Sequence, residues 1–342
     1  MLRKIVPILL AAMFVVMGIT VFNITRQDKQ NLSGELWVKR SPQITSITLY
    51  DNDNGDLSSP VPTDELTPFD EMTLVINITF PDDGYLYSVD VVFYHNLVGL
   101  NAPDNTSHHA TYHWDRDIGD WSVSPSGTTW DVDTQNSSVP TDKISGDDQI
   151  ILVFTPSKIA RYSSTGNWVI YVKITDLDNP TLLYGESELT SRKCKFYLEM
   201  SVDSTNFGFG YVPPGCENVS FNYTGGINIT VITNYYWNLK LNATGWYNDT
   251  GHLIVNFSEF DSLLADDDPT CNETKASETG LEPVWVKPGW SDPNYPSGWF
   301  NLAPSTDDIT GTLIRLYLFV TLPSDIPYGH YTTTLSIITE QH

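Results

Sequence analysis

The chain is poor in cations, in cysteine and in helical periodicity. Of its 342 residues only 18 are Lys or Arg against 42 Asp or Glu, a net charge of −24. Six of the 18 bases fall in residues 1–40, so residues 41–342 carry 12 bases and 40 acids, a net of −28. A protein that neutralises phosphates needs clustered Lys and Arg, and nucleic acid is therefore excluded as a partner. Three cysteines, Cys194, Cys216 and Cys271, cannot build a disulfide-dense scaffold and leave one thiol over from any single bond. After residue 22 no stretch keeps a 3.6-residue apolar period and no second long apolar run occurs, which excludes helical bundles and multi-pass membrane folds. Enzyme signatures are missing too: there is no His-Glu-x-x-His, no Gly-x-Ser-x-Gly and no phosphate loop, and Gly208-x-Gly210 lacks its third glycine. The chain reads as a non-enzyme.

What is present begins at the N-terminus. Residues 5–22 are uncharged and apolar, behind Arg3 and Lys4. Eighteen residues at 1.5 Å rise span about 27 Å, enough for a bilayer core. The reading is a signal-anchor or transmembrane helix over 1–22 with the bulk of the chain outside; a cleaved signal peptide is the alternative. Residues 23–42 form a tether. Asn-x-Ser/Thr acceptor sites occur at Asn23, Asn31, Asn77, Asn105, Asn136, Asn218, Asn222, Asn228, Asn242, Asn248, Asn256 and Asn272, twelve of the 23 asparagines. Asn23 stands too near the membrane to be modified, and the density elsewhere points to an N-glycosylated extracellular chain. In such a chain one disulfide is expected. Cys194 alternates with Phe196, Leu198 and Met200 as a buried strand residue, so the loop cysteines Cys216 and Cys271 are the better pair.

Alternating apolar segments bounded by Gly, Pro, Asn and Asp recur throughout, among them Met72–Phe80, Leu86–His95, Asn167–Thr175, Ser191–Met200, Asn206–Val212, Ile227–Thr233, Gly311–Leu322 and Tyr331–Thr339. Short strands at this spacing predict antiparallel sandwiches. Residues 97–147 form a long polar insertion with few strand signals. An internal repeat divides the chain: Pro156-Ser157-x-Ile159 matches Pro323-Ser324-x-Ile326, and Gly166-x-Trp168-x-x-x-Val172-x-Ile174 matches Gly329-x-Tyr331-x-x-x-Leu335-x-Ile337. Two β-sandwich domains are expected, 43–200 and 201–342. If the halves are homologous, the second lacks a counterpart of strand 191–200 and leaves a sheet edge open to a neighbour's strand. Alternatively Tyr331–Thr339 closes the sheet itself, or 191–200 serves the second half.

The run Phe80-Pro81-Asp82-Asp83-Gly84-Tyr85-Leu86 resembles the strand–turn–strand of immunoglobulin-like and fibronectin-like surface modules, and Gly166-Asn167-Trp168 with Ile170, Val172 and Ile174 resembles their penultimate strand. Phe207-Gly208-x-Gly210-x-Val212-x-Pro214-Gly215 is similar to the opening of prokaryotic surface sandwich domains, and Tyr328-Gly329-His330-Tyr331 to their closing strand. The resemblance implies an all-β fold of two antiparallel immunoglobulin-like β-sandwiches behind one N-terminal hydrophobic helix, and brings no catalytic residue. With the anchor and acceptor sites it implies an archaeal cell-surface protein with a structural or adhesive role. The alternatives are a subunit of an extracellular filament or surface layer, or a carbohydrate-binding module.

Three residue groups are candidate sites. Asp51, Asp53 and Asp56 could hold calcium, although Gly55 breaks the EF-hand pattern; ordinary turn chemistry is the competing explanation. Asp82, Asp83, Asp176 and Asp178 are expected together at the opposite end. Trp285, Trp290, Tyr295 and Trp299 could form a sugar-stacking or subunit-contact surface, or fold back on the core. His108, His109 and His113 sit in one stretch, but His109 and His113 on a strand stand about 13 Å apart, too far for one metal. Expected partners are the membrane through residues 5–22, other surface proteins or a second copy, and glycans.

Overall fold

The structure, a computed structural model, describes residues 38–51, 61–222, 225–270, 281–289 and 298–342. The hydrophobic segment 5–22 and most of the tether lie outside them. The described chain is all β, in several mostly antiparallel sheets, and among the described residues no helix is long and apolar enough to cross a membrane.

Ten strands build the first half: β1 (Gln43–Tyr50), β2 (Glu65–Leu66), β3 (Met72–Gly84), β4 (Leu86–His95), β5 (His109–Asp115), β6 (Asp120–Ser124), β7 (Asp131–Val132), β8 (Ile144–Thr155), β9 (Ser163–Asp176) and β10 (Tyr184–Cys194). They form two sheets, ordered β1-β3-β8-β7 and β2-β10-β9-β4-β5-β6. Among the described residues only the short β2–β10 pairing is parallel. Period-two alternation makes the layers: Leu74, Ile76 and Ile78 of β3 and Ile150, Leu152 and Phe154 of β8 meet Val89, Val91 and Phe93 of β4 and Ile170, Val172 and Ile174 of β9 in one buried core. Phe93, Tyr112, Trp130 and Phe154 pack at its centre, with Phe93 and Phe154 centroids 4.7 Å apart.

Residues 97–147, expected to be a largely strandless insertion, supply β5, β6, β7 and the start of β8. In β5, Ala110, Tyr112 and Trp114 turn inward while Thr111, His113 and Asp115 face out. The polar outer residues hide the alternation.

The second half holds β11 (Leu198–Val202), β12 (Val219–Ser220), β13 (Ile227–Thr233), β14 (Trp237–Ala243), β15 (Trp246–Asn248), β16 (Leu253–Val255), β17 (Leu263–Asp266), β18 (Val284–Trp285), β19 (Gly298–Leu302), β20 (Thr312–Val320), β21 (Tyr331–Thr332) and β22 (Leu335–Gln341). One sheet runs β11-β13-β20-β17-β18 with β12 also on β20; two smaller ones run β19-β14-β22 and β16-β15-β21. Ile229 and Val231, Leu239 and Leu241, Leu316 and Leu318, with Trp237 and Phe257, form a second core.

The expected strand Ser191–Met200 is two strands. β10 ends at Cys194 on Ser163 of β9, whereas β11 starts at Leu198 on Thr233 of β13. Lys195, Phe196 and Tyr197 carry the chain between them, with Phe196 edge-on to Tyr162. No described strand before this break pairs with one after it. Nonetheless, residues 39–342 form one compact unit.

Candidate functional site

Two buried polar side chains join the halves. Asn234, 3% exposed at the end of β13, donates from Nδ2 to the carbonyls of Ala160 and Lys195, both at 2.8 Å, and accepts from the Tyr197 N–H at 2.9 Å. Asp308, 3% exposed, reaches across from the 304–311 loop. Its Oδ2 accepts from the Thr129 N–H at 2.7 Å, the Thr129 hydroxyl at 2.5 Å and the Ser157 hydroxyl at 2.8 Å. A carboxylate taken out of water is stable only when hydrogen-bonded in this way. At the rim, Lys158 Nζ meets Glu199 Oε2 at 2.7 Å and lies 4.2 Å from the Phe69 ring. That ion pair, with a second bond from the Tyr197 hydroxyl, holds the Glu199 carboxyl below its usual range. Directional bonds from several elements thus cross between the halves.

The carboxylates at the tether end are engaged by the chain's own cations. Lys39 Nζ sits 2.7 Å from both Asp176 and Asp178, Arg40 binds Asp82 at 2.9 Å and the Pro81 carbonyl at 2.8 Å, and Lys143 binds Asp83 at 2.7 Å. The Arg40 and Lys143 hydrogen bonds hold Asp82 and Asp83 below the usual carboxylate range. These four aspartates do gather at one end, as expected, and clamp the chain where it leaves the tether. Asp51 faces Lys195 at 3.6 Å; Asp53 and Asp56, its expected partners for calcium, lie outside the described residues. Among the described residues no group of three or more His, Cys, Asp or Glu is placed to hold a metal.

The expected Cys216–Cys271 bond is not present: Cys216 is a free, half-buried thiol, and Cys271 lies outside the described residues. Cys194 is buried and free, as its alternation implied, and its thiol approaches the Ala160 carbonyl. Of the aromatic surface, Trp299 is 4% exposed in the second core with its indole N–H on the Glu282 carbonyl, and Trp285 is half-buried against the same core. These two fold back rather than line an open face; Trp290 and Tyr295 lie outside the described residues. His109 is buried between Asp104 (2.8 Å) and the Leu100 carbonyl (2.9 Å), while His113 binds Asp90 at 2.6 Å, so the two histidines serve separate partners.

Nine glycosylation candidates are described: Asn77, Asn105, Asn136, Asn218, Asn222, Asn228, Asn242, Asn248 and Asn256; Asn272 is not. None of the nine is buried, whereas the buried asparagines, Asn234 and Asn238, stand outside acceptor sites. Asn105, Asn248 and Asn256 share one geometry. Each Oδ1 accepts both the N–H and the hydroxyl of the Ser or Thr two residues on. Asn228 instead commits Nδ2 to Asp203 at 2.7 Å, Asn136 to Asp133 at 2.7 Å, and Asn77 to Ser46 at 2.7 Å.

Sequence reasoning missed Asn234 and Asp308. Both sit in polar turn sequence (Thr233-Asn234-Tyr235 and Ser305-Thr306-Asp307-Asp308) that reads as ordinary solvated loop, and only the packing of distant segments gives them their role. No model of a known protein family matches the chain, and neither does any curated protein sequence.

Proposed function

We propose that the chain is a membrane-anchored, N-glycosylated extracellular surface protein with a structural or adhesive role: two immunoglobulin-like sandwiches behind an N-terminal anchor at residues 5–22. The observation that carries this reading is that no described acceptor asparagine is among the buried residues, while the buried asparagines lie elsewhere. The immunoglobulin-like assignment is supported by strand order. β1-β3-β8-β7 corresponds to A-B-E-D of a variable-type domain and β10-β9-β4-β5-β6 to G-F-C-C′-C″, so residues 97–147 supply C′, C″ and D. In the second half β11-β13-β20 takes the place of A-B-E and β14-β22 that of C-F. The buried lock at Asn234 and Asp308 suits a stiff spacer that holds its far end away from a membrane. Glycopeptide mass spectrometry on native protein, combined with protease shaving of intact cells, tests the reading. Glycans at Asn105, Asn248 and Asn256 and release of fragments from 39–342 are expected; bare asparagines and a protected chain would overturn it.

One observation favours a second reading, a filament or surface-layer subunit. The repeat places β22 as the counterpart of β9, and β9 is paired on both sides, by β4 and β10. Among the described residues β22 pairs with β14 alone. A second copy donating a strand to this edge would complete the sheet. Sedimentation of the purified chain at rising concentration decides: self-association is expected on this reading, and a monodisperse monomer throughout would remove it.

A further inference from the structure

Beside the lock the halves leave a cleft of about 250 Å³, lined from the first half by residues 105–108, Ile159 and Arg161 and from the second by Asn234 of the lock and residues 304–306. Its chemistry is unusual for so acidic a chain, because no carboxylate lines it. The nearby acids are turned to other partners: Asp104 to His109 and Thr111, Asp307 to the N–H groups of Ile309 and Thr310, and Asp308 to Thr129 and Ser157. Eight other described cations, Lys39, Arg40, Lys143, Lys158, Lys193, Lys195, Lys240 and Lys287, each meet a carboxylate. Arg161 meets none among the described residues; Arg116 and Arg192, which also lack one, bond backbone carbonyls instead, and Lys173 lies over the Tyr184 ring, whereas Arg161 lines the cleft. Its backbone N–H is fixed on the Ser107 carbonyl at 2.9 Å, and its guanidinium faces His108 Nε2 at 3.4 Å.

That contact assigns the histidine. Arg161 can only donate, so Nε2 accepts, and Nδ1 carries the proton toward the Ser107 hydroxyl 2.5 Å away. Burial, and then the Arg161 charge, keep His108 neutral by pushing its pKa down. The corner therefore presents one guanidinium without a counter-charge, in a cleft lined by Ile159, Thr306 and Ser107, whose hydroxyl donates to Asn105 Oδ1 and accepts from His108. A guanidinium matches a carboxylate in plane and charge, and side-chain hydroxyls match sugar hydroxyls. The volume lies below the roughly 300–1,000 Å³ of sites for drug-sized ligands and suits one sugar ring.

We propose that this cleft binds a small carboxylate-bearing ligand of the size of a single uronic acid residue, with the carboxylate on Arg161 and the ring against Ser107, Ile159 and Thr306. The site needs only the folded chain and is independent of where the protein resides. The test is calorimetric titration of the full chain in detergent, produced without N-glycans because the acceptor Asn105 lines the cleft, with sodium glucuronate, and with glucose and acetate as separate arms, while the His108 ring resonances are followed by NMR. Saturable glucuronate binding that exceeds both controls and shifts the His108 signals is expected. Arg161→Gln should weaken it about tenfold or more, as loss of a charged bidentate contact does. Thr306→Val, at an exposed loop position that leaves the fold intact, should weaken it severalfold and keeps the test valid if Arg161→Gln misfolds. Absence of saturation, equal binding of glucose or acetate, or undiminished binding in the folded variants would overturn the proposal.

Discussion

Removing the Asp308 carboxylate tests whether the halves behave as one body. In Asp308→Ala three hydrogen bonds to a buried charge disappear, those from the Thr129 N–H, the Thr129 hydroxyl and the Ser157 hydroxyl. Bonds to charged groups contribute about 1.5–3 kcal/mol each, but they do not add here. The Thr129 hydroxyl also lies 3.3 Å from Ser157 Oγ and accepts the Lys158 N–H, and Ser157 Oγ accepts the Ile159 N–H, so both hydroxyls keep partners. The Thr129 N–H is the group left stranded. The expected loss is therefore about 3–5 kcal/mol, and about half that for Asp308→Asn, which keeps an acceptor oxygen in place. Paired with Thr129→Ala, the double-mutant cycle should return a coupling of about 1–3 kcal/mol. Denaturant unfolding followed by tryptophan fluorescence reads all of this, since Trp130 and Trp168 report the first core and Trp237 the second. The parent should unfold in one transition, and Asp308→Ala should show a lower midpoint with a shallower or split curve as the halves separate. A midpoint and slope matching the parent, or a coupling near zero, would refute the lock.

Three other perturbations follow from single sites. His95, 3% exposed and edge-on to Trp168, has its pKa pushed from 6.5 down to about 4 by burial, then by His108 and Arg161, so the fold holds it neutral. Its contribution is complete above pH 6.5 and is lost as pH falls toward 4, on the order of 3 kcal/mol in all; His95→Gln should flatten that limb of a stability–pH profile. Burial also pushes the Cys194 thiol far up, so iodoacetamide should alkylate Cys216 in the native protein and reach Cys194 only on unfolding, as mapped by peptide mass spectrometry. A methyl group on Gly185 would press into the Pro42 carbonyl, and Gly185→Ala should cost about 1–3 kcal/mol in thermal unfolding.

The layered architecture was legible because it rests on local alternation. Leu74, Ile76 and Ile78, or Ile170, Val172 and Ile174, declare an inner and an outer face without reference to any partner. The corner repeat was legible for the same reason: it makes β20 the sequence counterpart of β8 and β22 that of β9, each paired within its own half, β8 with β3, β20 with β13, β9 with β4 and β22 with β14. The failures have a common cause. β5 escaped notice because His109, Thr111, His113 and Asp115 outnumber its inward apolar residues. Asn206–Val212 alternates apolar residues yet forms no strand: Gly210 takes a φ of +69°, and Phe207 and Phe209 pack edge-on to each other instead of pairing their backbone.

The site failed to show in sequence for a deeper reason. A surplus of carboxylates draws attention to cation binding, at Asp51, Asp53 and Asp56 above all, with ordinary turn chemistry as the alternative. Several described aspartates are neutralised by the few cations, as at Lys39, Arg40 and Lys143, and others are satisfied by N–H and hydroxyl donors, as at Asp308 and Asp307. Eight of the described bases meet a carboxylate, and of those that do not, Arg161 is the one that lines the cleft. Arg161 is invisible by composition, being one of 18, and becomes a candidate only when three segments distant in sequence are brought around it with no carboxylate among them. The same logic makes Asp308 and Arg161 separable. Asp308 neighbours the cleft but bonds away from it, so Asp308→Asn should lower stability without altering glucuronate affinity, whereas Arg161→Gln should do the reverse. Calorimetry and unfolding on the two variants would show whether the junction holds a lock and a site, or one feature counted twice.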